Sequence, residues 1–266
     1  MCNYMNKFNR IFYMRLIVLF FSLFFSSCVY FNTFYNTENS FEEAIEIIEN
    51  DSSGSYKENS EIPNTAKKLL YESISSADII INEHPESKYV DDAIYYIARS
   101  YFSLNEFYKS EKYFNKLINE FPGSLYYNEG KLWLEYTHLK MGLLDIVEVN
   151  ILNIENDFKL REKEINKEIF FLLYSLKGDF FVELKEYDRA FIEFDKSLSF
   201  IKSKSKKTMI YSKLAYICES DDRLDQAIDY LKKIEITSNN EEIKLESFRN
   251  RLAIMDNLGL YNDIIS

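Results

Sequence analysis

Cys28 is the residue whose surroundings point most clearly to a chemical modification. A basic start leads into an apolar run over residues 16–25, interrupted only by Ser22 and followed by two serines and the cysteine. That run is too short for a membrane-spanning helix, which needs about 20 residues. The arrangement is typical of a bacterial lipoprotein signal peptide over residues 1–27. We therefore predict cleavage before Cys28 and lipid attachment to its thiol; the alternative is an ordinary secretory signal with an incidental cysteine.

The other residues that could perform chemistry do not form a reactive set. His84 and His138 are isolated from each other, and Cys218 stands alone, so a disulfide framework is excluded. Adjacent carboxylates, such as Asp91 and Asp92, point in different directions on a helix and favour helix starts. No nucleotide-binding, zinc-protease, nucleophile-elbow or C-x-x-C motif occurs. We predict no catalytic residue, no metal site and no cofactor.

The charge of the chain restricts its partners. The net charge is −11, and removal of residues 1–27 takes away Lys7, Arg10 and Arg15 and brings it to −14. Such a chain repels phosphates, so nucleic acid is excluded as a partner. Membrane attachment would depend on the lipid and not on a polybasic patch.

Two stretches of the chain repeat each other and indicate a helical repeat protein. Residues 84–93 and 121–130 share a proline, a serine, a tyrosine and a closing small residue at an offset of 37. Similarity at periods of 20–50 residues is typical of solenoids, in which each unit covers the apolar face of its neighbour. Only three prolines and six glycines occur in 266 residues, which favours helices over turn-rich sheets.

The unit over residues 91–124 fits the tetratricopeptide pattern. That pattern requires small, aromatic, small, large and proline residues at fixed places, which here are Ala98, Tyr101, Ser110, Phe114 and Pro122. The small residues let two helices approach closely, and the proline ends the second helix. We therefore predict an all-α fold, a right-handed solenoid of tetratricopeptide helix-turn-helix units.

The small residue of the first helix recurs along the chain and defines the organisation. The position that it occupies in each unit falls at 98, 135, 178, 215 and 252, at separations of 37, 43, 37 and 37, with a small residue at 98, 178 and 215. The unit after 91–124 is degenerate, with Glu135 and Val147 where small residues belong, and an insertion lies around 156–168. A lipidated segment with one helix and a polar loop is predicted over 28–63. The solenoid follows over 64–266, with units near 64–90, 91–124, 128–158, 171–201, 208–238 and a partial unit at 241–266.

The cysteine motif, the long period and the xxPxSxYxxxA junctions together resemble the BamD-like outer-membrane assembly lipoproteins. The resemblance is carried mainly by residues 84–93 and 121–130 and is clearest over 64–158. It implies a periplasmic scaffold for the insertion of β-barrel proteins. The acidic, aromatic N-terminus and the degenerate unit depart from the pattern of that family.

The concave face of such a solenoid is the predicted binding surface. Positions 2, 5, 9 and 12 of each first helix point into the groove, and aromatic and arginine side chains there suit a peptide or a partner helix. The alternative is that several of them pack against neighbouring helices. The predicted groove residues are Tyr95, Arg99, Phe102, Leu132, Tyr136, Leu139 and Tyr216.

These features together predict a non-enzymatic, lipid-anchored scaffold that binds envelope proteins or peptides. Val29 follows the cysteine; an aspartate there would favour inner-membrane retention, so we expect the periplasmic face of the outer membrane. Barrel assembly is the expected role. The alternatives are a lipoprotein that coordinates cell division or peptidoglycan synthesis, and one that captures peptides or other ligands.

Overall fold

The computed structural model describes residues 32–50 and 61–260, and its helices follow one another with short connections. Helix α1 covers residues 32–50, and no strand occurs in either described range. The remaining helices are α2 (Asn64–Glu83), α3 (Val90–Ser103), α4 (Phe107–Glu120), α5 (Tyr127–Lys140), α6 (Leu144–Leu160), α7 (Lys167–Glu183), α8 (Tyr187–Leu198), α9 (Lys204–Ser220), α10 (Leu224–Thr237) and α11 (Glu241–Asn257). The predicted all-α tetratricopeptide solenoid is confirmed.

Small side chains lie where the two helices of a pair touch. Ala98 of α3 and Ser110 of α4 are fully buried, and the Ser110 hydroxyl donates a 2.9 Å hydrogen bond to the Ala98 carbonyl. In the pair α7–α8, Gly178 lies directly under the ring of the fully buried Phe194. A bulkier residue at either position would separate the backbones, which is why the small residue recurs.

The turns between paired helices share one backbone feature. A residue in the left-handed region follows α3, α5, α7, α9 and α11, at Asn105, Gly142, Lys185, Asp222 and Gly259. Their separations of 37, 43, 37 and 37 repeat those of the small residues. A single left-handed residue reverses the chain within three residues, so the second helix folds back antiparallel to the first.

The repeated proline–serine junctions have the same geometry in both copies. The Ser87 hydroxyl accepts from the Tyr89 amide at 3.3 Å, and the Ser124 hydroxyl accepts from the Tyr126 amide at 3.1 Å. Each serine amide in turn donates to the carbonyl three residues earlier. These local bonds compete with helix and start the next helix at the same place in each unit.

The third pair, α5–α6, departs from the pattern as its sequence does. Glu135 occupies the place of a small residue and is only 3 % exposed. Its carboxylate accepts from the Asn150 amide at 3.0 Å and lies 3.1 Å from Nδ1 of His138. The inserted residues lengthen α6 to Leu160 and form the turn that precedes α7.

Helix α1 pairs with α2 and completes the first unit. The Ser73 hydroxyl of α2 donates a 2.8 Å bond to the Thr37 carbonyl of α1, and Ala44 and Ala66 are fully buried. The end of α1 also reaches the far part of the solenoid, because Ser205 donates to Glu49 at 3.4 Å and Asn240 donates to Asn50 at 3.2 Å. Most of the predicted polar loop, residues 51–60, lies outside the described residues.

The apolar side chains form two cores that meet on α5. The N-terminal core comes from α1 to α4 together with Leu134 of α5, and the C-terminal core comes from Leu132, Tyr136 and Leu139 of α5 and from the chain from α6 to α11. Trp133 packs against both. The predicted start of a further helix at 261–263 lies outside the described residues.

Candidate protein-interaction surface

The first helices of successive units contact one another through aromatic rings. Tyr95 of α3 stacks on Tyr126 at the start of α5, with ring centroids 4.0 Å apart and planes 10° apart. The Tyr95 hydroxyl donates a 2.5 Å bond to Oε1 of Glu129, one turn further along α5. Burial raises the pKa of Tyr95 well above its usual value, against the opposing effect of the nearby Arg99 cation. The phenol therefore stays protonated and remains a donor.

Arg99 is the centre of this contact. Its guanidinium carbon lies 3.6 Å from the ring centroid of Trp133 and 5.3 Å from that of Phe41 on α1. The same group donates a 2.7 Å bond to the Tyr95 hydroxyl and lies 3.4 Å from Glu129. A guanidinium stacked on an indole face gains from the quadrupole of the ring, and more so when water is excluded. Arg99 thus joins three helices.

An aromatic cluster continues from Arg99 toward the C-terminal core. The rings of Phe102 and Trp133 are 5.0 Å apart, and those of Trp133 and Tyr136 are also 5.0 Å apart. Trp133 Nε1 donates to Glu129 at 3.2 Å, which fixes the indole on α5. Edge-on rings at such separations are favourable beyond the area they bury.

A chain of polar contacts then links α5, α7 and α9. The Tyr136 hydroxyl donates to Oδ2 of Asp179 at 3.2 Å, and Lys213 Nζ donates to the same oxygen at 2.6 Å. All three side chains are less than a tenth exposed. The first helices of three units are therefore held together by a buried carboxylate that receives two donors.

The seven predicted groove residues lie in two environments. Tyr95, Leu132, Tyr136 and Leu139 are at most 8 % exposed, so they contact neighbouring helices of their own chain, as the alternative interpretation states. Arg99, Phe102 and Tyr216 are half-buried and reach solvent. The structure brings Tyr95, Arg99, Phe102 and Tyr136 together around Trp133, whereas Tyr216 lies apart on α9. Partner binding by any of the seven stays a prediction.

Several residues of this surface were not predicted from the sequence. Trp133 is the one tryptophan of the chain and lies three residues before Tyr136, so its type alone could have drawn attention to it. Asp179 and Lys213 carry no local signal, because they pair across 34 residues. Glu129 has a local partner in Trp133, but its contacts with Tyr95 and Arg99 join residues 34 and 30 positions apart.

His138 and Cys218 pack within the fold. His138 is 7 % exposed, and its ring nitrogens lie 3.1 Å from Glu135 and 3.3 Å from Glu111. Burial opposes protonation of this ring, but the two carboxylates outweigh it and raise the pKa of His138. Cys218 is fully buried, and burial raises the pKa of its thiol. No group of three or more potential metal ligands occurs within residues 32–50 and 61–260.

Membrane attachment concerns residues outside the described part of the chain. The signal segment 1–27 and Cys28 both lie there, so lipidation stays a prediction. Among the helices that are described, none is long and apolar enough to cross a bilayer.

Comparison with known proteins agrees with this geometry. Residues 92–124, which contain most of α3 and all of α4, match the tetratricopeptide repeat family model. No curated protein sequence matches the chain.

Solved structures with a similar fold are tetratricopeptide-repeat proteins. The chain is 15 % identical to the protein TTC0263 of Thermus thermophilus, with a TM-score of 0.56 over 82 % of this chain and 98 % of the other. It is 16 % identical to a tetratricopeptide repeat protein of Parabacteroides merdae, with a TM-score of 0.52 over 70 % of this chain and 68 % of the other. The chain therefore contains a tetratricopeptide repeat at residues 92–124 and has the all-α fold of a tetratricopeptide-repeat solenoid.

Proposed function

We propose that the chain is a non-enzymatic scaffold, anchored by lipid on Cys28 at the periplasmic face of the outer membrane, that binds envelope proteins. Its expected role is in the assembly of β-barrel proteins. The fold supports the general part of this proposal, because helical repeat solenoids present extended surfaces suited to protein partners.

The observation that carries the binding proposal is the half-buried cluster around Arg99. Arg99, Phe102 and Trp133 keep part of their surface in solvent while their positions are fixed by neighbouring rings and by Glu129. Tryptophan, tyrosine and arginine dominate the energetics of protein interfaces, and a rigid cluster loses little entropy when it binds. A peptide or helix with apolar side chains and a carboxylate near Arg99 would suit this surface.

The cysteine motif and the charge of the chain support the anchor. A mature chain with a net charge of −14 is not attracted to anionic lipids. Its attachment to a membrane would therefore depend on the apolar acyl chains of a covalent lipid. A single acyl chain gives only weak binding, whereas the several acyl chains of a bacterial lipoprotein hold the protein stably.

Photo-crosslinking in cells tests the binding role. We would place benzoylphenylalanine at Phe102 or Tyr216 on the first helices, and at Ile192, which is 54 % exposed on α8, as the matched control. The proposal expects a β-barrel insertase to be cross-linked from the first two positions and not from the control. Recovery of cell-wall synthases would favour the cell-division alternative, and equal products from all three positions would contradict a binding role for this face.

Metabolic labelling tests the anchor separately. Cells that express the chain are supplied with a radioactive fatty acid, and the Cys28→Ala variant is the control. We expect label in the parent chain and none in the variant. An unlabelled parent chain would remove the anchor from the proposal without affecting the binding surface.

A further inference from the structure

The edge of the solenoid at which α1, α3 and α5 begin carries exposed apolar and aromatic side chains. Leu125 is 94 % exposed and Tyr35 is 54 % exposed, while Tyr89 and Tyr127 are half-buried beside them. Ring contacts hold this edge together. Phe34 stacks on Tyr89 at 4.5 Å and packs at 6.1 Å from Tyr96, whose hydroxyl lies 3.4 Å from that of Tyr126. We call Tyr35, Tyr89, Leu125 and Tyr127 the aromatic edge.

The corresponding positions in later units are charged. The turn before α7 exposes Glu162, Lys163 and Glu164, and the start of α9 exposes Lys202 and Lys204. Apolar side chains are also exposed at the ends of later second helices, at Leu160 on α6 and Ile236 on α10, so what distinguishes this edge is its group of tyrosine rings beside the start of α1.

The lipidated residue has little freedom relative to this edge. Cys28 is separated from the start of α1 at residue 32 by four peptide links, which span at most about 14 Å when fully extended. Helix α1 is itself fixed to α2 and α3, because Thr37 accepts from Ser73 and Glu38 accepts from the Tyr96 hydroxyl at 3.0 Å. A lipid on Cys28 that is inserted in a bilayer would therefore keep the start of α1 close to the headgroup layer, which is roughly 5–8 Å thick on each side of the bilayer.

We propose that the aromatic edge docks on a zwitterionic lipid surface and sets the orientation of the solenoid on the membrane, an inference that rests on the lipid anchor at Cys28 proposed above. Tyrosine rings are favourable at the level of the headgroups, where one end is apolar and the other is wet. Leu125 adds an apolar side chain that water otherwise surrounds, and Lys88, with Nζ 4.8 Å from the Tyr89 ring centroid, can extend toward the headgroups.

The charges of the edge select the kind of lipid. The carboxylates of Glu38 and Asp92 act on Tyr126, Asp91 acts on Asp92, and Glu86 lies three residues before Tyr89 in the chain; Lys88 balances these charges only in part. An anionic bilayer would repel these carboxylates over a distance of about 10 Å. A surface without net charge admits the rings without that repulsion.

Labelled single-cysteine variants of the lipidated full chain test the proposal. After cleavage and acylation the remaining thiol is Cys218, which is fully buried, so a fluorophore can be directed to Leu125→Cys or Tyr35→Cys. Ile236→Cys is the matched control, because Ile236 is 81 % exposed at the end of α10, far along the chain. Each chain, carrying a nitrobenzoxadiazole label, is reconstituted in phosphatidylcholine vesicles with and without nitroxide-bearing lipids.

The proposal expects blue-shifted emission and at least two-fold quenching by the nitroxide lipids at positions 125 and 35, with neither effect at 236. It also expects the blue shift and the quenching at positions 125 and 35 to diminish when the anionic lipid phosphatidylglycerol replaces a third of the phosphatidylcholine. If the chain floats with the vesicles while the label at 125 behaves as the label at 236 does, docking of the aromatic edge is contradicted and the lipid anchor is supported. If the chain does not float with the vesicles, both the lipid anchor and the docking of the aromatic edge are contradicted.

Discussion

The two cores of the solenoid join their helices by different means. In the N-terminal core, α3 and α5 are held by stacked rings and by Arg99 on Trp133, with Glu129 still 30 % exposed at its side chain. In the C-terminal core, Lys177 of α7 lies between two carboxylates, 2.8 Å from Glu155 and 3.2 Å from Glu193. The three side chains of this group are each about a tenth exposed.

The difference shows that one repeat pattern fixes the packing of helices and leaves the chemistry of their contacts open. A ring stack tolerates the loss of one member, because the remaining surfaces stay apolar. A buried carboxylate that loses its cation is strongly destabilised, since its charge remains without compensation. We therefore expect the C-terminal half to be more sensitive to single substitutions and to acid.

The largest expected effect is at Lys177. Lys177→Met keeps the volume but leaves Glu155 and Glu193 facing each other, with only the more exposed Lys159 and Lys196 as partners. We expect a loss of about 3 kcal/mol in the free energy of unfolding. The matched variant Arg99→Met in the N-terminal half should lose only about 1 kcal/mol, because Glu129 can be hydrated. Urea denaturation of both measures the difference, and equal losses would contradict the comparison.

The next effect compares two glycines that lie against buried side chains. A Cβ at Gly178 would lie 2.4 Å from the rigid ring of Phe194, whereas one at Gly130 would lie 2.8 Å from the mobile end of Leu117. We expect Gly178→Ala to lower the free energy of unfolding by about 2 kcal/mol. Gly130→Ala should change it by less than about 1 kcal/mol, because the leucine can turn aside and alanine favours the helix. Thermal denaturation that ranks Gly130→Ala as the more harmful would refute this explanation.

Asp92 in the N-terminal half and Glu155 in the C-terminal half should contribute to stability with opposite dependences on pH. Burial, followed by the charges of Asp91 and Glu38, raises the pKa of Asp92 from 3.8 to about 6. The folded chain thus keeps a proton that the unfolded chain has released, and this stabilisation is lost as the pH rises from about 4 through 6. Burial alone would raise the pKa of Glu155, but hydrogen bonds from Lys159 and Lys177 outweigh it and lower that pKa below 4.5. Its contribution is present above pH 4.5 and is lost as the pH falls further.

Asp92→Asn isolates the first of these contributions. After allowance for solvent screening, we expect the raised pKa of Asp92 to change the free energy of unfolding by on the order of 1 kcal/mol. Between pH 4 and 7, the parent chain should lose that amount relative to the variant, as measured by urea denaturation at a series of pH values. Parallel curves for the two proteins would show that Asp92 has no such role.

The smallest effect concerns the left-handed turn residues. Lys185 in the C-terminal half has φ of 58° and Asn105 in the N-terminal half has φ of 60°. A lysine is strained there by about 1 kcal/mol, whereas asparagine tolerates this region. Lys185→Gly should therefore stabilise the chain by about 0.5 kcal/mol, because relief of the strain exceeds the greater loss of backbone entropy that glycine undergoes on folding. Asn105→Gly should give no such stabilisation. A stabilisation by Asn105→Gly of the same size would argue against strain at Lys185.

The sequence predicts the elements of this fold because its signals are local. Ala98, Ser110, Gly178 and Phe194 lie at the places that the repeat pattern assigns to them, since the pattern records which side chains face the partner helix. The left-handed residue at Asn105 lies between the two helices of the 91–124 unit, where the pattern requires a short turn.

Contacts between distant units could not be predicted in this way. Tyr136 and Asp179 lie 43 residues apart, and their pairing depends on how the inserted residues before α7 place that helix against α5. The contact of Glu49 with Ser205 joins residues 156 positions apart and depends on the curvature that accumulates over every unit between them. For the same reason the sequence pattern assigns Leu132 and Leu139 to the groove, although both lie within the C-terminal core.

Hydrogen exchange under native conditions, measured by mass spectrometry on the parent chain and on Lys177→Met, tests most directly whether the solenoid contains two cores that meet at Trp133. Loss of the lysine should reduce the protection of α6 to α9 by about a hundredfold, the equivalent of about 3 kcal/mol. Protection in α2 to α4 should stay within a few-fold of its original value. An equal loss along the whole described chain would show a single cooperative core and contradict the account.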